Sequence, residues 1–349
     1  LPVMLLYISS GLFLGWSLGA NDAANLFGTA VGTRMVKFST AAFIISVFVV
    51  LGAVVSGAGA SDTLATLGEI NAMPGAFIVA LAAAFTVFWM TKCGLPVSTS
   101  QAIVGGIVGW NFFAGLPTDP KIVTKIAGTW VLCPLLAAFF SILFFKIVMV
   151  ILSRCKIHLL KLDSYNRLGL IIAGAFGAFS LGANNIANVM GVFIKSSPFK
   201  DLNIGGLFNL SGTQQLFMLG GVAIAFGVFT YSKKVMTTVG QSIFQISPIA
   251  ALIVVLSSST VLFLFASAGL KAWLTAHNLP SFPLVPVSSS QAVVGAVLGI
   301  ALAKGGRNLN LKTLGNIALG WVTTPIVAGV LAYITLFFMQ NVFLQTVVA

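Results

Sequence analysis

Long apolar runs recur along the chain: Phe43–Ala58, Pro74–Met90, Gly128–Leu152, Ile249–Ser267 and Thr324–Met339. Several approach the roughly 20 residues that a helix needs to cross a bilayer. They predict an all-α polytopic membrane protein. Polar residues fall either in short connectors between the runs or in a few compact clusters inside them. The second group is unusual, because a polar side chain inside a bilayer is costly and marks an ion or substrate path by default.

Those clusters are duplicated. Ser17-Leu-Gly-Ala-Asn-Asp-Ala-Ala-Asn25 recurs as Ser180-Leu-Gly-Ala-Asn-Asn-Ile-Ala-Asn188. Pro96-Val-Ser-Thr-Ser-Gln-Ala-Ile-Val-Gly105 recurs as Pro286-Val-Ser-Ser-Ser-Gln-Ala-Val-Val-Gly295, and Trp130 with Pro134 recurs as Trp321 with Pro325. Cassettes repeated in the same order predict two homologous halves. The chain divides into a first repeat, 1–152, a connector, 153–167, and a second repeat, 168–349. The later half is longer, and its polar stretches Ser196–Gly212 and Gly269–Leu284 are expected to be loops.

Charge sets the orientation of these halves. The connector carries Arg154, Lys156, Lys161 and Arg167 against Asp163, whereas Gly57–Met73 carries Asp62 and Glu69 with no base. The positive-inside rule puts the first in the cytoplasm and the second outside. Lys233 and Lys234, in the part of the second half that corresponds to the acidic segment, are then cytoplasmic. If the first half starts outside and ends at this cytoplasmic connector, it must cross an odd number of times, which makes the repeats inverted. Parity holds if Pro74–Met90 and Ser100–Gly109 are arms of a re-entrant hairpin with its tip at Lys92–Thr99. A second tip near Val287–Ser290 would meet it at the midplane, the plan of inverted-repeat transporters with discontinuous helices around a central site.

Overall composition narrows the function classes. With 58% hydrophobic and 7% charged residues, against about 25% charged in a soluble domain, a water-soluble globule is excluded. The net charge of +12 does not point to nucleic acid, since the bases sit in connectors and not in a stripe interleaved with aromatics. Cys93, Cys133 and Cys155 match no metal or redox spacing and read as small apolar residues. No signal peptide is recognisable at the start.

The chemistry lies in the cassettes. Asn21, Asp22 and Asn25 stand within a run that extends from Leu5 to Val31, with Asp22 and Asn25 on one helical face. Gly19 would let the backbone bend and offer carbonyls beside these oxygens to a hard cation. One asparagine alone reads as glue between helices; the cassette's return as Asn184, Asn185 and Asn188 favours a cation site. Ser98, Thr99, Ser100 and Gln101, like Ser288, Ser289, Ser290 and Gln291, follow a proline at the start of a helix. Unpaired N–H groups there, with hydroxyls and amides around them, suit an oxyanion. A simple N-cap explains one hydroxyl and leaves the others over.

An intramembrane hydrolase lacks partners for a serine nucleophile: His158 and His277 fall in expected loops, and Lys92 is the single candidate near Ser98. Gly105 with Gly109, and Gly295 with Gly299, are small-xxx-small pairs for close helix packing. Pro134 and Pro325 are expected to kink long helices, and Trp130 and Trp321 to anchor them at the membrane interface.

These cassettes resemble those of the inorganic phosphate transporter (PiT) family, from about Gly11 to Leu331. The resemblance implies symport of phosphate with sodium, or with protons in some bacterial members, through a multi-pass protein of the cell membrane, often a homodimer. It implies no cofactor and no enzyme activity, with sodium as the coupling ion. Residue by residue, Asp22, Asn25 and Asn188 look like cation or substrate ligands, and Thr99, Ser100, Gln101, Ser289, Ser290 and Gln291 like phosphate ligands. Many relatives carry Asp in both signature cassettes; here the second reads Asn184-Asn185. Asp22 then supplies the fixed charge, and with a dihydrogen phosphate it would call for two sodium ions. A carrier of sulfate or arsenate, a proton-coupled carrier and an anion channel are the alternatives.

Overall fold

The computed structural model describes residues 2–92, 97–155, 158–204, 208–238, 247–305 and 311–349. Cys93, Pro96 and Lys156 lie outside them. Twelve α-helices are present among these residues: α1 (Pro2–Gly32), α2 (Phe38–Ser56), α3 (Ala58–Leu67), α4 (Met73–Lys92), α5 (Thr99–Ala114), α6 (Pro120–Arg154), α7 (Leu159–Met190), α8 (Gly212–Thr238), α9 (Pro248–Ala266), α10 (Ala268–Ala276), α11 (Ser289–Ala303) and α12 (Leu311–Asn341). Seven described helices are long and apolar enough to cross a membrane. The two stretches expected as loops carry structure. A small antiparallel hairpin, Leu202–Ile204 with Phe208–Leu210, lies in the first, and α10 lies in the second. α10 buries none of its side chains, so no apolar stripe reveals it in the sequence.

The helices that carry the duplicated Asn cassettes, α1 and α7, run antiparallel. Near one end Phe193, just past α7, packs on Gly11 of α1; near the other, Asn166 Nδ2 donates to Met35 Sδ at 3.7 Å. Each helix packs on a partner from the other part of the chain, α1 on α8 and α7 on α2. The contact is backbone to backbone, because a Cβ added at Gly19 would lie 1.9 Å from the Ile224 carbonyl oxygen and one at Gly182 would lie 2.1 Å from that of Val49. This corrects the expected discontinuous helix. Both helices are unbroken through the cassette, and Gly19 serves close approach, not a bend.

Helices α4 and α5 form the first hairpin. Both of its outer ends sit together: Asn111 Nδ2, near the end of α5, donates to the Leu67 carbonyl at 3.0 Å, just ahead of α4. Trp110 Nε1 on the same turn donates to the Val347 carbonyl at 3.2 Å, so the last described residues also hold this arm. The second hairpin runs from α9 to α11. Its returning chain lies beside the end of α9, where Val285 N donates to the Phe265 carbonyl at 3.2 Å.

Hairpin arms and long helices are exchanged. Arm α5 packs on α12, and arm α11 on α6. A Cβ at Gly105 would stand 2.1 Å from the Pro325 carbonyl oxygen, and one at Gly295 would stand 2.2 Å from that of Pro134. The small-xxx-small pairs thus seat the arms, and each interior proline lies inside an otherwise continuous helix. A proline removes one N–H from the ladder, leaving the carbonyl four residues earlier unpaired. Those carbonyls belong to Trp130 and Trp321, whose indole nitrogens are also buried without a partner. The two tryptophans are therefore turned into the protein and not outward as interfacial anchors.

Charges separate by end. Lys233 Nζ sits 5.9 Å from the Phe38 ring, which brings the close of α8 to the turn bearing Arg34 and Lys37. At the opposite end Lys195 Nζ pairs with Glu69 Oε1 at 3.0 Å. Arg34, Lys37 and Lys233 thus gather at the end opposite Glu69.

Candidate functional site

Two helix N-termini converge at the centre. Ser98 caps α5, its Oγ accepting from Gln101 N at 3.3 Å. Ser288 caps α11 in the same way, accepting from Gln291 N at 3.3 Å. N-capping accounts for one hydroxyl in each copy, as a serine at this position should. The other hydroxyls knit the tips together: Ser100 Oγ donates to the Val287 carbonyl at 3.0 Å, and Ser290 Oγ donates to the Val97 carbonyl at 3.1 Å. The two bonds are mirror images of each other across the duplicated motif.

The Asn cassettes meet the opposite tips. Ser289 Oγ on α11 donates to Asp22 Oδ2 on α1 at 2.5 Å. Asn188 Nδ2 on α7 donates to Ser100 Oγ on α5 at 2.8 Å and to Asn185 Oδ1 at 2.9 Å. The structure thus gathers Asp22, Asn185, Asn188, Ser100, Ser289 and both caps into one buried centre. Asn21 Nδ2 donates to Asp22 Oδ1 at 3.3 Å.

Asn184 is placed differently from its counterpart Asn21. Its Nδ2 donates to the Val287 carbonyl at 2.7 Å, and its Oδ1 accepts from Val287 N at 3.0 Å. Both ends of the amide are spent on one peptide unit of the second tip. Val97 and Val287 contribute through their backbones, so no side-chain letter marks them; the preceding cassette proline, which bars a helix at that point, is the one available signal.

Several polar atoms at the centre have no protein partner: Gln101 Oε1, Gln291 Oε1, Asn188 Oδ1 and Asn185 Nδ2. Buried polar groups are nearly always satisfied, so such a group of exceptions makes this centre the candidate ligand site. Three of the four are acceptors. With the Asp22 carboxylate they offer oxygens to a hard cation, while the first N–H groups of two buried helix starts, which have no partner within their helix, offer donors to an anion.

Asp22 is 3% exposed, and among the described residues no Lys or Arg lies within ion-pair distance of it. No group of three or more His, Cys, Asp or Glu that could hold a metal is found among the described residues, so a cation here would rest on one carboxylate, amides and carbonyls. Lys92, the one candidate partner for a serine nucleophile, has its Nζ over the Phe88 ring at 4.9 Å.

The model of the phosphate transporter family matches residues 18–332 and 272–348. A Pyrococcus furiosus protein named for an inferred phosphate permease activity is 27% identical, with 95% of each chain covered. The sulfate permease CysP of Bacillus subtilis is 28% identical over 93% of this chain and 84% of its own. A solved structure described as the sodium-dependent phosphate transporter superposes with a TM-score of 0.78 at 24% identity, covering 97% of this chain and 99% of the other, which establishes the fold.

Proposed function

Because this chain belongs to the phosphate transporter family, a family of multi-pass membrane carriers and not of enzymes, we propose that it moves inorganic phosphate across the cell membrane by symport with sodium, binding both at the centre where the hairpin tips meet. The observation that carries this reading is Asp22: a buried carboxylate with no basic partner among the described residues. An uncompensated charge in such a place is very costly, so the carboxylate calls for a mobile cation, and the cation in turn stabilises an anion at the helix starts. That mutual dependence is coupling.

On this reading Asp22, Asn21, Asn25, Asn188 Oδ1 and Asn185 serve the cation side. Phosphate takes the N-termini of α5 and α11 with Ser98, Thr99, Ser100, Gln101, Ser288, Ser289, Ser290 and Gln291. Asn184, fully committed to Val287, positions the second tip and is not a ligand. One Asp22 and one dihydrogen phosphate together carry about two negative charges, which two sodium ions would balance in a low-dielectric site. The antiparallel run of α1 and α7 and the exchanged arm contacts support inverted repeats, 1–152 and 168–349, joined by the connector 153–167. The solved sodium-dependent phosphate transporter of the same fold supports sodium over protons, and membership of the family supports phosphate over sulfate. Assembly as a homodimer belongs to the same proposal.

Uptake of radiolabelled phosphate into proteoliposomes, with and without a sodium gradient and with sulfate as competitor, tests it. Sodium-dependent uptake with a Hill coefficient for sodium above one, and no competition from sulfate, is expected. Uptake driven by a pH gradient in sodium-free buffer would transfer the coupling to protons, and full competition by sulfate would overturn the substrate.

A further inference from the structure

Below the site, one face of α1 changes character. Asn21, Asn25, Thr29 and Thr33 follow each other at intervals of four and therefore stack along one line of the helix surface. All four are partly or fully exposed, while Asp22, Ala23, Ala24, Leu26, Phe27, Gly28, Ala30 and Val31 between them are buried. One turn above Asn21 the same line is closed: Ser17 is buried, its hydroxyl without a partner. Exposed side chains on a membrane helix are ordinarily apolar and face lipid; four successive polar ones face water or protein. Contact within this chain would bury them, and the line starts at the central site, which a path needs and an outer surface does not. The line ends at Thr33, whose N and Oγ1 both donate to the Thr29 carbonyl, at 2.9 and 2.7 Å, beside the exposed Arg34.

The duplicated helix shows the contrary. The same line in the second copy reads Ser180, Asn184 and Asn188 on α7 and Val192 just past it, all buried, and only Ser196, the counterpart of Thr33, is partly exposed. Val192 and Phe193 are buried at its end, where Gly191 lies beside Leu64 and Phe193 packs on Gly11, and the Lys195–Glu69 pair lies just beyond. Passage toward the Glu69 end is therefore shut, while the α1 line runs open to the basic end.

We propose that Asn25, Thr29 and Thr33 line a water-filled half-path through which the oxyanion and its cation pass between the central site and the face where α1 ends. This rests on the transport reading above. The hydroxyls of Thr29 and Thr33 replace waters of hydration as donors to the anion and acceptors to the cation, and the neighbouring Arg34, Lys37 and Lys233 draw the anion toward that mouth.

Single substitutions Thr29→Cys, Thr33→Cys and Val192→Cys, in a background lacking Cys93 and Cys155, provide the test; Cys133 is buried and remains. Each is treated with 2-sulfonatoethyl methanethiosulfonate, an anionic membrane-impermeant thiol reagent, from either face of oriented vesicles, and labelling is read by mass. Thr29→Cys and Thr33→Cys should label from the basic face alone, Thr29→Cys more slowly once sodium and phosphate are added. Val192→Cys should stay unlabelled from that face. Modification at Thr29 should cut uptake at least about tenfold, since it puts a fixed negative charge in the anion's path. Elution as a folded species on size exclusion is confirmed for each variant. Thr29→Cys that is folded and unlabelled from both faces, or labelled with uptake unchanged, overturns the proposal. Labelling is read without transport, so cysteine variants that label as expected in a parent background that takes up no phosphate would sink the transport reading and leave the half-path standing.

Discussion

Asp22 and Asn185 occupy equivalent places in the two cassettes and differ by one charge, yet their surroundings differ more than their letters do. Asp22 receives the Ser289 hydroxyl, while Asn185 is held by Asn188 with its Nδ2 left over. Asp22→Asn should abolish sodium-driven uptake while leaving the melting temperature of the purified protein the same or higher, because removing an unpaired buried charge relieves a desolvation cost. Sodium-driven uptake at the parental rate would refute its role. Asn184→Ala leaves the Val287 N–H without its partner and the Val287 carbonyl with the Ser100 hydroxyl alone, a loss of roughly 1–3 kcal/mol. The phosphate KM should rise with the sodium Hill coefficient unchanged, as befits a residue that positions the tip; a fall in that coefficient would instead make Asn184 a cation ligand. The sequence singled out these asparagines, since polar letters inside apolar runs are conspicuous. It could not show that Asn21 and Asn184 part company, because the distinction is made by which backbone each amide reaches.

Among the elements, the hairpin arms depend most on missing side chains. Gly105 and Gly295 lie against the Pro325 and Pro134 carbonyls with no room for a Cβ. Gly105→Val and Gly295→Val should each cost about 3 kcal/mol or more through forced displacement, seen as a lowered melting temperature and lost uptake. Gly128, in α6, has nothing within 4 Å of an added Cβ, and Gly128→Ala should raise stability by up to about 1 kcal/mol from helix propensity alone. The arms and their glycine pairs were legible because small residues at a spacing of four have one common use. Gly19 was misread because a glycine in a helix permits either a bend or a close neighbour, and only Ile224 on a distant helix decides. The insertion at the second hairpin was legible as polar, but not as the helix α10, which has no buried face to impose a period.

For the whole molecule, the two ends are unequally closed. Near the Glu69 end, Val192 and Phe193 are buried beneath the ion pair with Lys195; both partners of that pair are more than a third exposed, so its direct contribution to stability is about 1 kcal/mol or less. Lys195→Gln should move the melting temperature by less than about 3 °C. It should nonetheless raise the rate at which Val192→Cys reacts from the Glu69 face, as the population shifts toward a form open there. An unchanged rate would mean that the pair plays no part in closure. The duplication made two halves visible in the sequence, whereas the difference between their present conformations was not, since both copies carry nearly the same letters.

The exchange of arms has a consequence for how the chain can be divided. Arm α5 has its packing surface on α12, and arm α11 has its own on α6. A polypeptide ending within the connector at 153–167 would therefore keep its first hairpin and lack the wall that hairpin leans on, and the remainder would be deficient in the complementary way. Expressed alone, each fragment should be degraded. Expressed together in one membrane, they should rescue each other, and a harmful change at Gly105 should find its suppressors in the other fragment, around Pro325.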